Sequence, residues 1–422
     1  MPEIQYPDSR MHIVNLTNKA RKPNRILLVR DGDFYFYVYQ LAEFLYKSGH
    51  HVEILNTFTG EIEPLYRNLV KKTQALNITC HFINNNRAAW VERKAISLAY
   101  RSRLIDKLAV VTPYKLRRAR DALTESGQFD VIITFDPSSL FLACKVCPDN
   151  LTKIIHYSLE ISDESHRDFQ KSRTVRAFRY YERAALSKIR ALMIQDRFRA
   201  QILLRNRSNG QGVKTILFPV AMSGPAVRKA SITEGNFREV KILFFGGLWS
   251  QNLLSQLETV SLQLKENQVM VIHGGRGSIR ATETRQQKLI VSTDAIPFDR
   301  VNDYISSADI GLAIYPNNEA NSRYTAFSSE KVARYVQCGI PFIAFRNEAF
   351  EFLQAETGCC ELIDNYAEIP NAIDKIVGNY RVYQRGAYEA FSTFFCLEQT
   401  GLELLREIDC LDWGSSSRQY AL

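Results

Sequence analysis

Twice along this chain, short apolar runs alternate with segments of helical spacing, and few architectures accommodate that pattern. The first series opens with Arg25 to Arg30 (R-I-L-L-V-R). Val38 to Ser48 follows, with Tyr39, Leu41, Ala42 and Leu45 at helical intervals, then a stop at Gly49 and a second run from His51 to Leu55. A crossover of that length joins parallel neighbours. Further runs lie at Ile78 to Ile83, Phe129 to Thr134, Lys153 to His156, Ala191 to Ile194 and Lys214 to Leu217. The stretch from Met222 to Glu239 is rich in Ser, Gly, Pro and Ala and reads as a linker. The second series then begins with Lys241 to Phe245, a helix from Asn252 to Leu264, and Gln268 to His273. Leu289 to Ser292, helix Val301 to Ser307 and strand Ile310 to Ile314 continue it. Strands alternating with helices predict an α/β fold of two doubly wound, Rossmann-like domains, and 422 residues suffice for two cores. The expected division is 1–225, 226–390 and a C-terminal helical segment, 391–422.

Several classes are excluded early. Hydrophobic content of 45% and charged content of 23% are ordinary for globular proteins, and no apolar run approaches the roughly 20 residues that span a bilayer. The first residues, M-P-E-I-Q-Y-P-D-S-R, lack the apolar stretch of a signal peptide, so a cytoplasmic location is expected. Eight cysteines are scattered without a framework, and neither Cys144/Cys147 nor the adjacent Cys359/Cys360 has a second pair to complete a zinc site, so packing thiols are expected. Charge is uneven: through Ser231 there are 37 Lys plus Arg against 21 Asp plus Glu, and afterwards 17 against 24. A basic first half suits an anionic surface or substrate. Much of that charge lies from Ala88 to Leu123, interleaved with Leu104, Leu108, Val110 and Val111. The segment is amphipathic and fits an anionic membrane surface as well as a solvated face. No helix-turn-helix, zinc module or aromatic RNA motif is present, and nucleic acid is not an expected partner.

In open parallel sheets, ligands sit beyond the carboxyl ends of strands. The loop from Asp31 to Phe36 has no G-x-G-x-x-G, but Gly246-Gly247 and Gly274-Gly275-Arg276 each follow a strand, where small residues let backbone approach a phosphate or sugar. The stretch Ser322 to Phe345 carries the strongest local signal. Ser328 or Ser329 caps a helix from Glu330 to Gln337, and Val332, Tyr335 and Val336 form its apolar face. A capped helix start with Lys331 in its first turn is suited to an anion. On the first domain, Asp136, His156, Glu160 and Asp196 fall at or beyond strand ends.

The order G-G-L, H-G-G-R-G, I-P-F, S-A-D-I-G-L, S-S-E-K and Y-V-Q-C-G-I-P, from Lys241 to Phe345, resembles the nucleotide domain of GT-B glycosyltransferases of family four. F-D-V-I-I-T-F-D-P and H-Y-S-L-E-I resemble their acceptor-side strand ends. The resemblance implies two domains facing each other across a cleft, with the last helices crossing back to the first. It implies a UDP- or GDP-linked sugar as donor substrate, no cofactor, no metal, and transfer with retention. Gly246, Gly247, Gly274, Gly275, Arg276, Ser328, Ser329, Glu330 and Lys331 are the implied donor-binding residues. Glu160, with His156 and Asp136 beside it, is the implied catalytic group on the acceptor side. This chain departs from the pattern at Arg334, where many relatives carry a ribose-gripping glutamate, and at Gly247 and Asn252, where they often carry Arg and Lys. The expected acceptor is a glycan or a lipid-linked diphosphate, the latter bringing the basic half to the inner face of an anionic membrane. Two alternatives stand beside transfer: a sugar-nucleotide epimerase, and a non-catalytic polyanion- or membrane-binding protein.

Overall fold

The structure is a computed structural model that describes residues 23–32, 36–58, 64–84, 113–161, 167–205, 213–227, 239–247, 251–274, 284–286, 288–293, 296–315 and 319–409. One sheet contains β1 (Arg25–Asp31), β2 (His51–Phe58), β3 (Thr79–Asn84), β4 (Val131–Phe135), β5 (Ile154–Tyr157), β6 (Ala191–Ile194) and β7 (Thr215–Leu217). Its order is β3-β2-β1-β4-β5-β6-β7, parallel at every junction. The second contains β8 (Val240–Phe245), β9 (Gln268–His273), β10 (Thr284–Gln286), β11 (Leu289–Ser292), β12 (Ile310–Ala313), β13 (Phe342–Phe345) and β14 (Cys360–Ile363). It runs β10-β11-β9-β8-β12-β13-β14, and only β10 pairs antiparallel with its neighbour. The strand order reverses direction of winding between β1 and β4 and again between β8 and β12, which creates the two crevices where such sheets bind ligands.

Burial on both faces explains why the strands read as unbroken apolar runs. In β1, Ile26 and Leu28 join one core while Leu27 and Val29 join another on the opposite face. Ile242 and Phe244 of β8 similarly point away from Leu243. The core holding Ile26 continues through Phe218, Val220 and Met222 to Phe327 and Phe395, so apolar packing is continuous between the two sheets. Main-chain bonds reinforce the crossing: Val220 N donates to Phe327 O at 2.8 Å and Met222 N to Phe395 O at 2.8 Å. The first part of the connecting stretch is therefore fixed against the second domain, and 228–238 lie outside the described residues.

Helices Tyr380–Ala390 and Leu397–Asp409 are joined by a wide turn at Phe391–Phe395. The last helix returns to the first sheet's side. Arg190 Nε lies 3.3 Å from Glu407, Lys214 also pairs with Glu407, and a Cβ at Gly401 would stand 2.3 Å from the Phe44 ring. Cys359 and Cys360 are buried free thiols, Cys360 opening β14. Two edge strands, β10 and β14, were not expected: T-R-Q and C-E-L-I carry polar residues and present no continuous apolar run. Most of the basic segment lies outside the described residues. Its described end, helix Pro113–Leu123, exposes Arg117, Arg118 and Arg120 but buries Lys115. Among the described residues, no helix is long and apolar enough to cross a membrane.

Gly311 on β12 is needed for close approach, because a Cβ there would meet the Tyr335 ring at 2.4 Å. That ring is fully buried and its hydroxyl donates to Leu243 O at 2.8 Å while accepting from Phe245 N at 3.1 Å, so it has little freedom to move. Gly311→Ala is expected to cost about 1 to 3 kcal/mol through overpacking. Denaturant unfolding checks this, and an unchanged midpoint would show that the ring yields.

Candidate functional site

The helix Glu330–Gln337 begins at Ser329, whose Oγ accepts from Val332 N at 3.2 Å. Ser329 is thus the cap, while Ser328 Oγ donates to Tyr324 O at 3.3 Å and accepts from Arg199 Nη1 at 3.1 Å. Tyr335 and Val336 press the helix on the sheet, and this fixes its N-terminus at the crevice between β8 and β12. Lys331 lies in the first turn of this helix. Its ammonium is buried 3.7 Å from the centre of the Phe244 ring and 4.8 Å from that of Tyr315. Burial pushes its pKa down to about 7, and no charged neighbour among the described residues offsets that push. Gly246, at φ +124, places its α-carbon directly over this side chain: a Cβ would stand 3.4 Å from Lys331 Cε. Glycine at that angle avoids the strain other residues incur, and backbone, helix start and ammonium converge on one spot.

Gly274 terminates β9 and donates to Ser292 O at 3.0 Å, and Gly246 N donates to His273 O at 3.0 Å, aligning the two strand ends. Gly247 follows at partial exposure, and Gly275 and Arg276 lie outside the described residues. Glu330 accepts from Arg334 Nε at 2.7 Å. Arg334 is itself buried, with Nη1 on Asn302 Oδ1 at 2.9 Å and its guanidinium 4.7 Å from the Phe298 ring and 5.4 Å from Phe36 of the first domain. Glu330 and Arg334 are therefore engaged with each other.

Across the domain boundary, Asp136 follows β4 with φ +67. Its side chain supports that conformation: Oδ2 pairs with Arg30 at 2.7 Å, and Oδ1 accepts from Leu159 N at 3.0 Å and Glu160 N at 3.2 Å. Asp136 holds the loop after β5. His156 does not face the cleft as its strand-end position suggested. Side-chain alternation along β5 turns it inward, where it is wholly buried between Thr134 Oγ1 and Glu182 Oε1, each 2.8 Å away. Burial alone raises the Glu182 carboxyl, but Arg179 and His156 outweigh it and hold it down at about 2. Arg179 extends the network to Ser158 Oγ at 3.2 Å and to the Glu160 carbonyl. Asp196 caps helix Arg197–Leu204 by accepting from Arg199 N at 2.9 Å.

Of the three acceptor-side carboxylate and imidazole groups, only Glu160 has an exposed side chain. Its carboxylate accepts from Asn321 Nδ2 of the second domain. Tyr315 connects this group to the capped helix: its hydroxyl bonds Ser329 Oγ, and its pKa is raised by burial first, with the Glu330 and Glu160 charges adding. Arg199, Asn321 and Tyr315 carried no sequence signal, because each acts through a contact made only after the domains meet. Lys115 and Asp31, paired at the crevice between β1 and β4 with Thr57 on the same carboxylate, were likewise not singled out as a pair.

No protein-family model and no curated protein matches the chain. Solved structures do match its fold. Sucrose-phosphate synthase from Thermosynechococcus elongatus aligns over 93% of this chain and 99% of its own, at 16% identity and a TM-score of 0.62. WaaG, a glycosyltransferase involved in lipopolysaccharide biosynthesis, aligns over 90% and 99%, at 11% identity and a TM-score of 0.54. A UDP-N-acetylglucosamine 2-epimerase from Listeria monocytogenes aligns over 87% and 91%, at 9% identity and 0.50. The fold is α/β with two parallel-stranded sheets, the GT-B arrangement of these glycosyltransferases.

Proposed function

We propose that this protein is a glycosyltransferase that moves a sugar from a nucleotide-sugar donor to an acceptor hydroxyl. The observation that carries the reading is Lys331, a buried ammonium that has no charged neighbour among the described residues and lies beneath Gly246 at the start of a capped helix. An isolated buried cation is costly, and an anionic ligand relieves that cost. Sugar transfer breaks the bond between the anomeric carbon and the diphosphate, and negative charge grows on the diphosphate as it leaves. Lys331 and the helix N–H groups would interact more strongly with that transition state than with the intact donor, which is the condition for catalysis. Glu160 would orient the acceptor hydroxyl or take its proton. The finer reading is a UDP- or GDP-linked hexose transferred with retention to a glycan or lipid-linked acceptor, with Arg117, Arg118 and Arg120 facing an anionic acceptor or membrane.

Calorimetry with uridine and guanosine sugar nucleotides tests it. The diester diphosphate does not titrate near neutrality, so a pH dependence between about 7 and 8 belongs to the protein. Binding an anion restores the Lys331 proton, so proton uptake should accompany binding above the free-state pKa of about 7. Affinity should then fall by up to roughly tenfold per pH unit as pH rises from about 7 to about 9. Affinity independent of pH, or absent for every donor, would remove the reading. The second reading, an epimerase on this fold, finds support in the Listeria neighbour. It is distinguished by conversion of the sugar nucleotide in the absence of any acceptor.

A further inference from the structure

A dense polar link between the domains lies beside the proposed site. Arg199, in the first domain's helix Arg197–Leu204, is among the most deeply buried large side chains. Its Nε donates to Gln195 Oε1 at 2.7 Å, and Nη2 donates to Leu159 O at 2.7 Å and Asn321 Oδ1 at 2.8 Å. Nη1 reaches Tyr324 O and Ser328 Oγ, both at 3.1 Å, and Asn321 O at 3.3 Å. One guanidinium therefore ties the loop after β5 to the segment leading into the Ser329 cap. Asn321 completes the link. Its Oδ1 also accepts from Ile161 N at 2.8 Å. Two obligate donors on one atom identify that atom as oxygen, so the other end of the amide is the donor that bonds the Glu160 carboxylate.

We propose that Asn321, oriented by Arg199, is a positioning residue that fixes the Glu160 carboxylate from the opposite domain. The inference rests on the transferase reading above. The backbone of Glu160 is held by its own domain, through Asp136 and Arg179, but its carboxylate is held by the domain that carries Ser329 and Lys331. The acceptor-side carboxylate is thereby registered to the donor helix. Misplacing such a group by an ångström can cost about 100-fold in rate.

Two variants separate positioning from mere stability. In Asn321→Ala, the Ile161 amide loses its acceptor and its hydrogen exchange should speed by roughly two- to tenfold. In that variant kcat should fall by up to about 100-fold with donor affinity unchanged. Asn321→Asp keeps an oxygen for Arg199 and Ile161 but turns a second carboxylate on Glu160. Ile161 protection should return, while the acidic limb of the kcat profile moves up by about one pH unit or more, since two carboxylates sharing a site resist joint ionisation. Among the described residues, the other ionisable groups around Glu160, namely Arg199, Arg179, Asp136 and Tyr315, are unchanged in both variants. A structural role alone would alter melting without moving that limb. Folded Asn321→Ala with kcat within about threefold of wild type, or Asn321→Asp with an unmoved limb, overturns the proposal. If wild type binds no sugar nucleotide, the transferase reading fails by itself, and unchanged Ile161 exchange in Asn321→Ala then separately refutes the contact.

Discussion

Glu160→Gln is expected to bind the donor as tightly as wild type and to transfer sugar roughly 100- to 10,000-fold more slowly, the range for loss of a general acid–base group. The substitution keeps the size of the side chain and leaves an oxygen to accept from Asn321 Nδ2, so the interdomain bond survives while the charge and basicity are lost. Backbone contacts are untouched, because Asp136 and Arg179 hold the amide and carbonyl of this residue and not its side chain. Melting temperature should therefore stay close to that of wild type. The competing role for Glu160 is an ordinary surface acid that pairs with the basic half, and the nearest guanidiniums bind its backbone or its neighbours instead. Single-turnover transfer with saturating donor gives the comparison. Transfer within about threefold of wild type, in a variant that binds donor normally, would exclude Glu160 from the chemistry.

The fold was legible because burial on both faces leaves little choice of residue. Runs such as I-L-L-V and V-M-V-I have no polar member to obscure them, and strand Gln268–His273 and helix Glu330–Gln337 fall at the expected bounds. Short edges escaped, β14 because C-E-L-I spends a residue on Glu361, whose side chain serves Lys375 and Tyr383 at the sheet margin. The candidate site was legible only where local rules govern it. Capping is a matter of a few consecutive residues, so Ser329 and Lys331 could be singled out from spacing. His156 shows the limit: the end of a strand predicts nearness to the cleft, but alternation along β5 turns this side chain inward, where Glu182 supplies a buried partner from a helix 26 residues on. Arg199 and Asn321 stand 122 residues apart and meet only through the closure of two domains. A periodicity cannot report a contact of that kind.

Replacing Lys331 by methionine should weaken binding of a nucleotide diphosphate by roughly 1.5 to 3 kcal/mol, the worth of a hydrogen bond to a charged group. Methionine preserves the length of the stem and its packing under Gly246 and against Phe244, so lost affinity would not reflect a collapsed pocket. The same change predicts the sign of a stability effect. The lysine's pKa is lowered by burial from 10.5 to about 7, so between those values the folded state holds fewer protons than the unfolded state. The contribution of Lys331 to wild-type stability then rises with pH across that window, while buried thiols such as Cys80 and Cys147, whose pKa burial raises, act in the opposite direction toward its upper end. In Lys331→Met that contribution should vanish, and at neutral pH the variant should be no less stable than wild type, since a buried charge without a charged partner among the described residues has been removed. The affinity loss should also flatten the pH dependence of binding, because the group responsible for proton uptake is gone. Binding and unfolding thus test one residue in opposite directions: weaker for the ligand, no weaker for the fold. Full donor affinity in folded Lys331→Met would place the diphosphate elsewhere, and a variant that bound poorly while melting far below wild type would mark Lys331 as structural.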